Sequence, residues 1–249
     1  MEAKIQYNNK EYSIDLNSPI DISIEMNAMS ARAWYQEPLK INPVVDGDFI
    51  GEVTQGAPVN FRNIAFNPHA HGTHTECFGH ISKTWESVSD HINTFFHFAQ
   101  VVTINPVCLE NGDLVISKNC LLNSIDKDSG IKAIVIRTLP NNIEKVNKNY
   151  SNTNPPYVLE DAMQFIVDSG IEHFLIDLPS VDKENDEGKL LAHRIFWNYP
   201  EHIRKNASIT ELIYVPNQIE DGIYFVNIQF PRFNNDASPS RIFLYSIDQ

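Results

Sequence analysis

Four histidines, His69, His71, His74 and His80, lie within twelve residues of one another, and a carboxylate, Glu76, lies among them. Imidazole nitrogens and carboxylate oxygens are the usual protein ligands of zinc, manganese and similar ions. A metal ion needs several such groups at one point, and short spacings along the chain supply them. A lone histidine in a polar segment indicates only a surface side chain, whereas four histidines with a carboxylate favour a metal site.

The spacing also indicates how these side chains are directed. Alternate side chains of an extended strand share a face, so His74 and Glu76 would point the same way. Gly72 gives the backbone before them the freedom to bend. Two groups far downstream fit the same site. Glu211 has apolar neighbours, where a carboxylate needs a partner or an ion, and His193 lies in an apolar run, either as a ligand or as a satisfied core histidine.

The histidine-rich segment resembles the signature of a known family. The pattern His-x-Gly-Thr-His-x-Asp-x-Pro-x-His belongs to the cyclase-like hydrolases, which include bacterial kynurenine formamidases and isatin hydrolases. Gly72, Thr73, His74 and His80 match it, and Glu76 stands where the pattern has Asp. Other motifs of the family have similar counterparts in order and rough spacing, namely Trp34, the stretch 176–182 and the triplets 192–194 and 210–212.

The resemblance implies a metal-dependent hydrolase that cleaves a carbon–nitrogen bond, in an amide, lactam or formamide, of a small carbonyl compound. His74 and Glu76 would bind a first divalent ion, and Glu76 would bridge to a second ion held by His193 and Glu211. One or two ions per chain are expected, zinc before manganese. His80 would be the general acid/base that works with metal-activated water. A narrower prediction is an arylformamidase that converts N-formylkynurenine to kynurenine.

The sequence departs from the signature at the position of the first histidine, which is Ala70. Either a flanking histidine replaces it, or the site has lost a ligand. Of the flanking histidines, His71 is preferred to His69 because it is nearer and adjoins the flexible Gly72. Glu76 is longer than the family's Asp by one methylene, about 1.5 Å. The ions or the backbone must therefore shift relative to the family's arrangement.

Two aromatic side chains are predicted to contact the substrate. Phe78 stands where the family has Pro, and would change the pocket wall or the turn. Trp34 is placed like the family's substrate-contacting Trp, although it would serve equally as an ordinary core residue. The neighbouring Cys77 is expected to be a small buried hydrophobic residue, with a soft metal ligand as the alternative.

Two functions besides hydrolysis are left open by the sequence. One is a cyclase or dehydratase that applies related metal chemistry to a biosynthetic intermediate. The other is a non-catalytic member of the same fold that binds a metal or a small ligand, which the departure at Ala70 motivates.

Composition limits the class of partners. With 19 Lys and Arg against 32 Asp and Glu, the 249 residues carry a formal net charge of -13, so nucleic acids and anionic membranes are not expected partners. Met1–Asp15 lacks the apolar core of a signal peptide, and the 3 cysteines fit reduced thiols in the cytoplasm. The resemblance implies a homodimer or homotetramer that acts on a small molecule.

The elements that must position these residues are mainly short strands. Apolar or alternating runs predict strands at Asp21–Ile24, Asn63–Phe66, Val101–Ile104, Asp113–Ile116, Lys132–Arg137, His173–Asp177, Ile209–Tyr214, Tyr224–Gln229 and Arg241–Tyr245. Helical spacing is clearest over Val158–Ser169, with Gly170 as a stop. The pattern predicts a single domain over residues 1–249 of mixed α/β class, and the resemblance implies the swivelling β/β/α fold.

Overall fold

Short strands and a few helices form the fold. The computed structural model describes residues 1–125 and 130–248. The strands are β1 (Glu2–Tyr7), β2 (Lys10–Asp15), β3 (Ile20–Asp21), β4 (Lys40–Pro43), β5 (Val45–Asp46), β6 (Phe49–Ile50), β7 (Arg62–Ala65), β8 (His74–Glu76), β9 (Phe96–Ile104), β10 (Val107–Cys108), β11 (Leu114–Ile116), β12 (Ala133–Thr138), β13 (Tyr157–Val158), β14 (His173–Ile176), β15 (Ser208–Glu211), β16 (Gly222–Gln229), β17 (Ala237–Pro239) and β18 (Arg241–Tyr245). The α-helices are α1 (Val88–His91), α2 (Lys118–Leu121), α3 (Glu160–Asp168) and α4 (Leu191–Trp197).

One sheet of 9 strands, in the order β17-β8-β15-β14-β12-β9-β16-β18-β3, organises the molecule. The central strands β9, β12, β14 and β15 run parallel, and antiparallel strands extend the sheet at both ends. Parallel neighbours require long crossover connections. All three of these connections carry helices, α2 between β9 and β12, α3 between β12 and β14, and α4 between β14 and β15. This arrangement confirms the mixed α/β class predicted from the sequence.

The sheet is buried on both faces, which explains its apolar central strands. In β12, Ile134 and Ile136 pack with the helices in the larger core cluster. The alternate residue Val135 packs in a second cluster on the opposite face. A strand covered on both sides needs apolar residues on both faces, so most of its sequence is a continuous apolar run, here Ala133 to Ile136. The sheet also curls on itself, as one hydrogen bond shows. The amide of Tyr214, after β15, donates to the carbonyl of Ile22, after the edge strand β3, at 2.8 Å.

The predicted elements agree with the observed ones except at their ends. Every predicted strand overlaps an observed strand. The predicted helix is observed as α3, and Gly170 after it has a left-handed φ of 77°, as a helix stop requires. Among the described residues no helix has the length and apolar character needed to cross a bilayer.

Two elements that were not predicted from the sequence, β8 and α4, carry two histidines of the candidate site, His74 and His193. β8 pairs with β15 next to the carboxyl ends of the parallel strands. In open α/β sheets, ligands bind outside these strand ends. The fold therefore gathers the segments that bear the candidate residues at one end of the sheet.

Candidate metal centre

β8 presents His74 and Glu76 on one face of the sheet, beside Glu211. The strand is extended, so these two side chains share a face as predicted. In the antiparallel pairing of β8 with β15, Glu211 lies directly opposite His74. All three side chains are buried. Three groups that bind metals well are thus held side by side on rigid strands.

His74 has one bonded ring nitrogen and one unpaired ring nitrogen. Its Nδ1 lies 3.1 Å from the Gly72 carbonyl oxygen, which assigns the proton to that nitrogen. Its Nε2 lies 3.3 Å from Glu211 Oε2, outside hydrogen-bond geometry. Among the described residues, Nε2 is one of two buried side-chain atoms without a hydrogen-bond partner. A buried lone pair left unpaired costs free energy, unless a ligand such as a cation takes it.

Glu76 lies at the centre of the cluster and contacts a histidine with each oxygen. Oε2 lies 3.0 Å from Nδ1 of His69, and Oε1 lies 3.2 Å from Nε2 of His193. Burial alone would raise the pKa of Glu76, but the imidazoles of His80, His193 and His69 hold it well below its ordinary value. The carboxylate is therefore ionised and directed to two sides.

His193 is held by Asp182 at the start of α4. The carboxylate of Asp182 accepts from the backbone amides of Ala192 at 2.8 Å and His193 at 3.2 Å. It also contacts His193 Nδ1 at 2.5 Å, which leaves Nε2 to face Glu76. Burial alone would lower the pKa of His193, but the hydrogen bonds to Asp182 and Glu76 raise it to about 10. Asp182 therefore fixes both the helix start and the ring orientation.

His69 lies between Glu76 and a second aspartate, Asp236. Nε2 of His69 lies 2.6 Å from Asp236 Oδ2, while Nδ1 faces Glu76. Burial alone would lower the pKa of His69, but the hydrogen bonds to Asp236 and Glu76 raise it to about 10. Asp236 could not be predicted from the sequence, because it lies in a polar loop far from the signature. Only the pairing of β17 with β8 brings it to the cluster.

His80 borders the cluster on the side that faces solvent. It lies in a turn of 3-10 helix, Phe78–Ile81. Its Nδ1 is 3.9 Å from Glu76 Oε2 and 3.6 Å from Asp236 Oδ2, and its side chain is 29% exposed. Its ring also lies 4.2 Å from the His69 ring, centroid to centroid. His80 can thus contact both the buried cluster and a molecule that enters from solvent.

His71 does not join the cluster, which reverses the preference for His71 over His69. Nδ1 of His71 accepts from the Asn67 amide at 2.9 Å, and Nε2 lies 2.8 Å from the Glu37 carbonyl oxygen. Both ring nitrogens are therefore occupied by the backbone. Asn67 also directs the turn, because its side-chain oxygen accepts from the His69 amide at 2.9 Å. This turn sends His69 to the site and His71 away from it.

Phe78 is a core residue, which corrects its prediction as a substrate contact. Its side chain is 1% exposed and belongs to the core cluster that packs on the helices. The cavity wall does not include it. Cys77 is fully buried among apolar residues, and burial raises the pKa of its thiol to about 12, in agreement with the expected small hydrophobic residue. Residues 77–79, between Glu76 and His80, therefore anchor the turn that carries His80.

We expect Phe78→Ala to lower the free energy of unfolding by about 3–5 kcal/mol, because it opens a cavity in the core. Denaturant unfolding measures this loss. The control Phe61→Ala removes an aromatic side chain that is 58% exposed, and should change stability by less than about 0.5 kcal/mol. A Phe78→Ala protein of normal stability with a raised KM would return Phe78 to the substrate pocket.

A cavity of about 330 Å³ opens beside the cluster. His69, His80, His193 and Glu211 reach its wall. The rest of the wall consists of Trp34, Asn67, Ser180, Asp182, Lys183, Glu184, Asp186 and Leu190. The structure thus places the predicted Trp34 at the cavity.

The residues present fit a divalent metal ion. Ligand atoms of His69, His74 and Glu76 lie within 4.8 Å of one another, as do those of Glu76, His80 and His193. Nitrogen and oxygen donors of this kind suit zinc and manganese. The unpaired Nε2 of His74 is a position that a cation would fill. Glu76 belongs to both groups, so the geometry suits one ion or two that share this carboxylate.

The fold and the cluster define a mixed α/β protein with a histidine–carboxylate centre at one end of its sheet. The family model "Cyclase: Putative cyclase" matches residues 20–183, which is more than half of the chain. The protein therefore belongs to this Cyclase family, as the resemblance implied. Among proteins of curated function, none matches the chain.

Solved structures share this fold at low sequence identity. A "potential metal-dependent hydrolase with cyclase activity" aligns with a TM-score of 0.65 and 15% identity, over 93% of this chain and 99% of that chain. Isatin hydrolase A from Labrenzia aggregata aligns with a TM-score of 0.65 and 14% identity, over 93% of this chain and 94% of that chain. An isatin hydrolase bound to the product analogue thioisatinate aligns with a TM-score of 0.64 and 12% identity, over 92% of each chain. At these identities the likeness shows the fold.

Proposed function

We propose that this protein is a metal-dependent hydrolase that cleaves the carbon–nitrogen bond of an amide, lactam or formamide in a small carbonyl compound. One observation carries the proposal most directly. Glu76 lies between His69 and His193, with one oxygen on each, and these two histidines reach the wall of a cavity that His80 also borders. The shared fold of enzymes described as metal-dependent hydrolases and isatin hydrolases supports the same reaction class.

The cluster would hold the metal through two sets of ligands. His69, His74 and Glu76, whose ligand atoms lie close together, would bind one ion. Nε2 of His193 lies 3.2 Å from Glu76 and 3.9 Å from Glu211, so these three residues would bind a second ion. Zinc is expected before manganese, because imidazole-rich sites with carboxylates suit it well. When bound, a divalent ion supplies Lewis acidity, which polarises a substrate carbonyl and makes water a nucleophile near neutral pH.

The chain's own residues would bring the substrate to this centre and move the proton. His80 has a ring nitrogen near Glu76 and lies partly open to the cavity, so it is placed to take a proton from water and give it to the departing nitrogen. Imidazole suits this role because one ring nitrogen can accept a proton while the other donates one.

The cavity favours a small aromatic substrate. Its volume, about 330 Å³, suits a molecule of one or two rings. The indole of Trp34 and the side chain of Leu190 supply apolar wall, while Asn67 and Lys183 supply polar groups. Within this class we propose N-formylkynurenine and isatin-like lactams as the first compounds to test.

Two other functions remain as alternatives to hydrolysis. The absence of the signature's histidine at Ala70 is the reason to consider a non-catalytic binding protein. His69 lies in the cluster, which weakens that reason. A cyclase or dehydratase of a biosynthetic intermediate would use the same centre, and the family's name favours it over the binding protein.

The test is a substrate assay on the purified protein loaded with zinc or manganese. We expect at least one of N-formylkynurenine, isatin and a simple aryl formamide to be hydrolysed. The activity should disappear with a chelator, return with metal, and incorporate labelled oxygen from water into the product acid. Binding without product would support the binding protein, and a product formed by loss of water would support the cyclase or dehydratase.

A further inference from the structure

Two aspartate–histidine pairs flank Glu76 in a matched arrangement. On one side, Asp182 contacts Nδ1 of His193 at 2.5 Å, and Nε2 of the same ring faces Glu76 at 3.2 Å. On the other side, Asp236 contacts Nε2 of His69 at 2.6 Å, and Nδ1 faces Glu76 at 3.0 Å. Each imidazole is thus held on its outer nitrogen by a carboxylate and directs its inner nitrogen to the centre.

Asp236 is held rigidly beside β8. Its carbonyl oxygen accepts from the Cys77 amide at 3.0 Å, directly after Glu76 in the chain. The preceding carbonyl, of Asn235, accepts from the Val88 amide at 2.9 Å. The next residue, Ala237, pairs with Glu76 in the ladder of β17 and β8. The position of the Asp236 carboxylate is therefore set by the same strand that carries Glu76.

We propose that Asp236 is the positioning residue of His69, and that this pair supplies the imidazole that the signature would place at residue 70. Ala70 is fully buried and offers no ligand. The turn at Asn67 directs His69 to the cluster, and the hydrogen bond between Nε2 and Asp236 makes Nδ1, which faces Glu76, the nitrogen that would bind a cation. Carboxylates that orient a ligating histidine in this way also make it a stronger ligand.

The proposal rests on the proposed function, since it requires a metal at the centre. It assigns Asp236 to the outer side of His69, not to the ion itself. His80 lies 3.6 Å from the same carboxylate oxygen, beyond hydrogen-bond distance, so the bond to His69 dominates.

The test compares Asp236→Ala and Asp236→Asn with the wild type. The dissociation constant for zinc is measured by competition with a chromophoric chelator, and the ions per chain are counted at saturation. We expect Asp236→Ala to weaken zinc binding by about 10- to 100-fold at an unchanged ion count. Asp236→Asn should recover most of the affinity, because its amide oxygen accepts the same hydrogen bond, although less strongly than a carboxylate. The cobalt(II) absorption spectrum should change in Asp236→Ala and return in Asp236→Asn.

The matched control is Glu86→Ala. It removes another carboxylate that is bonded to a histidine, His91 at 2.8 Å, outside the cluster, and should leave zinc affinity unchanged. If Asp236→Ala fails to fold, as judged by circular dichroism, Asp236→Ser also removes the contact with Nε2 and replaces it in the test.

Three results would overturn the proposal. Unchanged zinc affinity and cobalt spectrum in Asp236→Ala would mean that His69 needs no orientation. A lower ion count at saturation would make Asp236 a direct ligand. A wild-type protein that binds no metal would overturn the proposed function as well, whereas the first two results would leave that function standing.

Discussion

Replacing Glu76 with glutamine should remove the metal and the activity together. Glu76 is buried, ionised and in contact with His69 and His193. Glutamine keeps the shape of the side chain but removes the negative charge that contacts both His69 and His193. Breaking a buried ionic contact costs about 3–5 kcal/mol, and a loss of metal binding of that size corresponds to roughly 100- to 4,000-fold in affinity. Equilibrium dialysis with zinc, followed by the substrate assay at saturating metal, measures both losses.

The control for this prediction is Glu76→Asp. It keeps the charge and restores the signature's residue, while it shortens the side chain by about 1.5 Å. We expect it to retain metal within roughly tenfold of the wild type, since the charge matters more than the reach. If Glu76→Gln kept full metal affinity, Glu76 would not be a ligand and the centre would have to be built without it.

His80→Ala should lose turnover while it keeps the metal. His80 is partly exposed at the cavity, next to the buried ligands. A general acid/base contributes about 10²- to 10⁴-fold to a rate, so we expect kcat to fall by that factor, with an unchanged ion count and unfolding transition. Steady-state kinetics and elemental analysis of the same preparation check the two parts.

His202→Ala is the matched control, because His202 is exposed and outside the cluster. It should have wild-type kinetics. Loss of an ion from His80→Ala would instead show that His80 is a ligand. This alternative is specific, because ligand atoms of His80 lie close to those of Glu76 and His193. Unchanged turnover in His80→Ala would contradict its role in proton transfer.

The fold class could be predicted from the sequence because buried strands and helices have simple patterns of apolar residues. β12 and β14 are buried on both faces and read as continuous apolar runs, and α3 shows one apolar face before its terminal glycine. β8 could not be predicted in this way. Its three residues are polar, since His74 and Glu76 point to the site and Thr75, on the opposite face, bonds to Thr210. No hydrophobic pattern therefore marks it as a strand.

The candidate site was predictable where residues lie close in sequence or match the signature. The shared face of His74 and Glu76 follows from the alternation of a strand. The choice between His69 and His71 depends on the turn at Asn67, which spacing alone does not describe.

Residues brought to the site by the chain's path could not be predicted. Asp236 reaches His69 only through the pairing of β17 with β8. The burial of Phe78 likewise depends on the core that forms around it, since a signature position gives no direction for the side chain. Asp182 lies in the family-like stretch 176–182, but its bonds to His193 and to the start of α4 follow only from the fold.

The most direct test of the account is the number of metal ions per chain in the wild type, His74→Ala and His71→Ala, measured by elemental analysis of folded protein. His74 has a buried unpaired nitrogen at the centre, whereas both nitrogens of His71 are bonded to the backbone. We predict one or two equivalents of zinc or manganese in the wild type and in His71→Ala, and a clear loss in His74→Ala. A wild type without metal after incubation with these ions, or a loss in His71→Ala with none in His74→Ala, would contradict it.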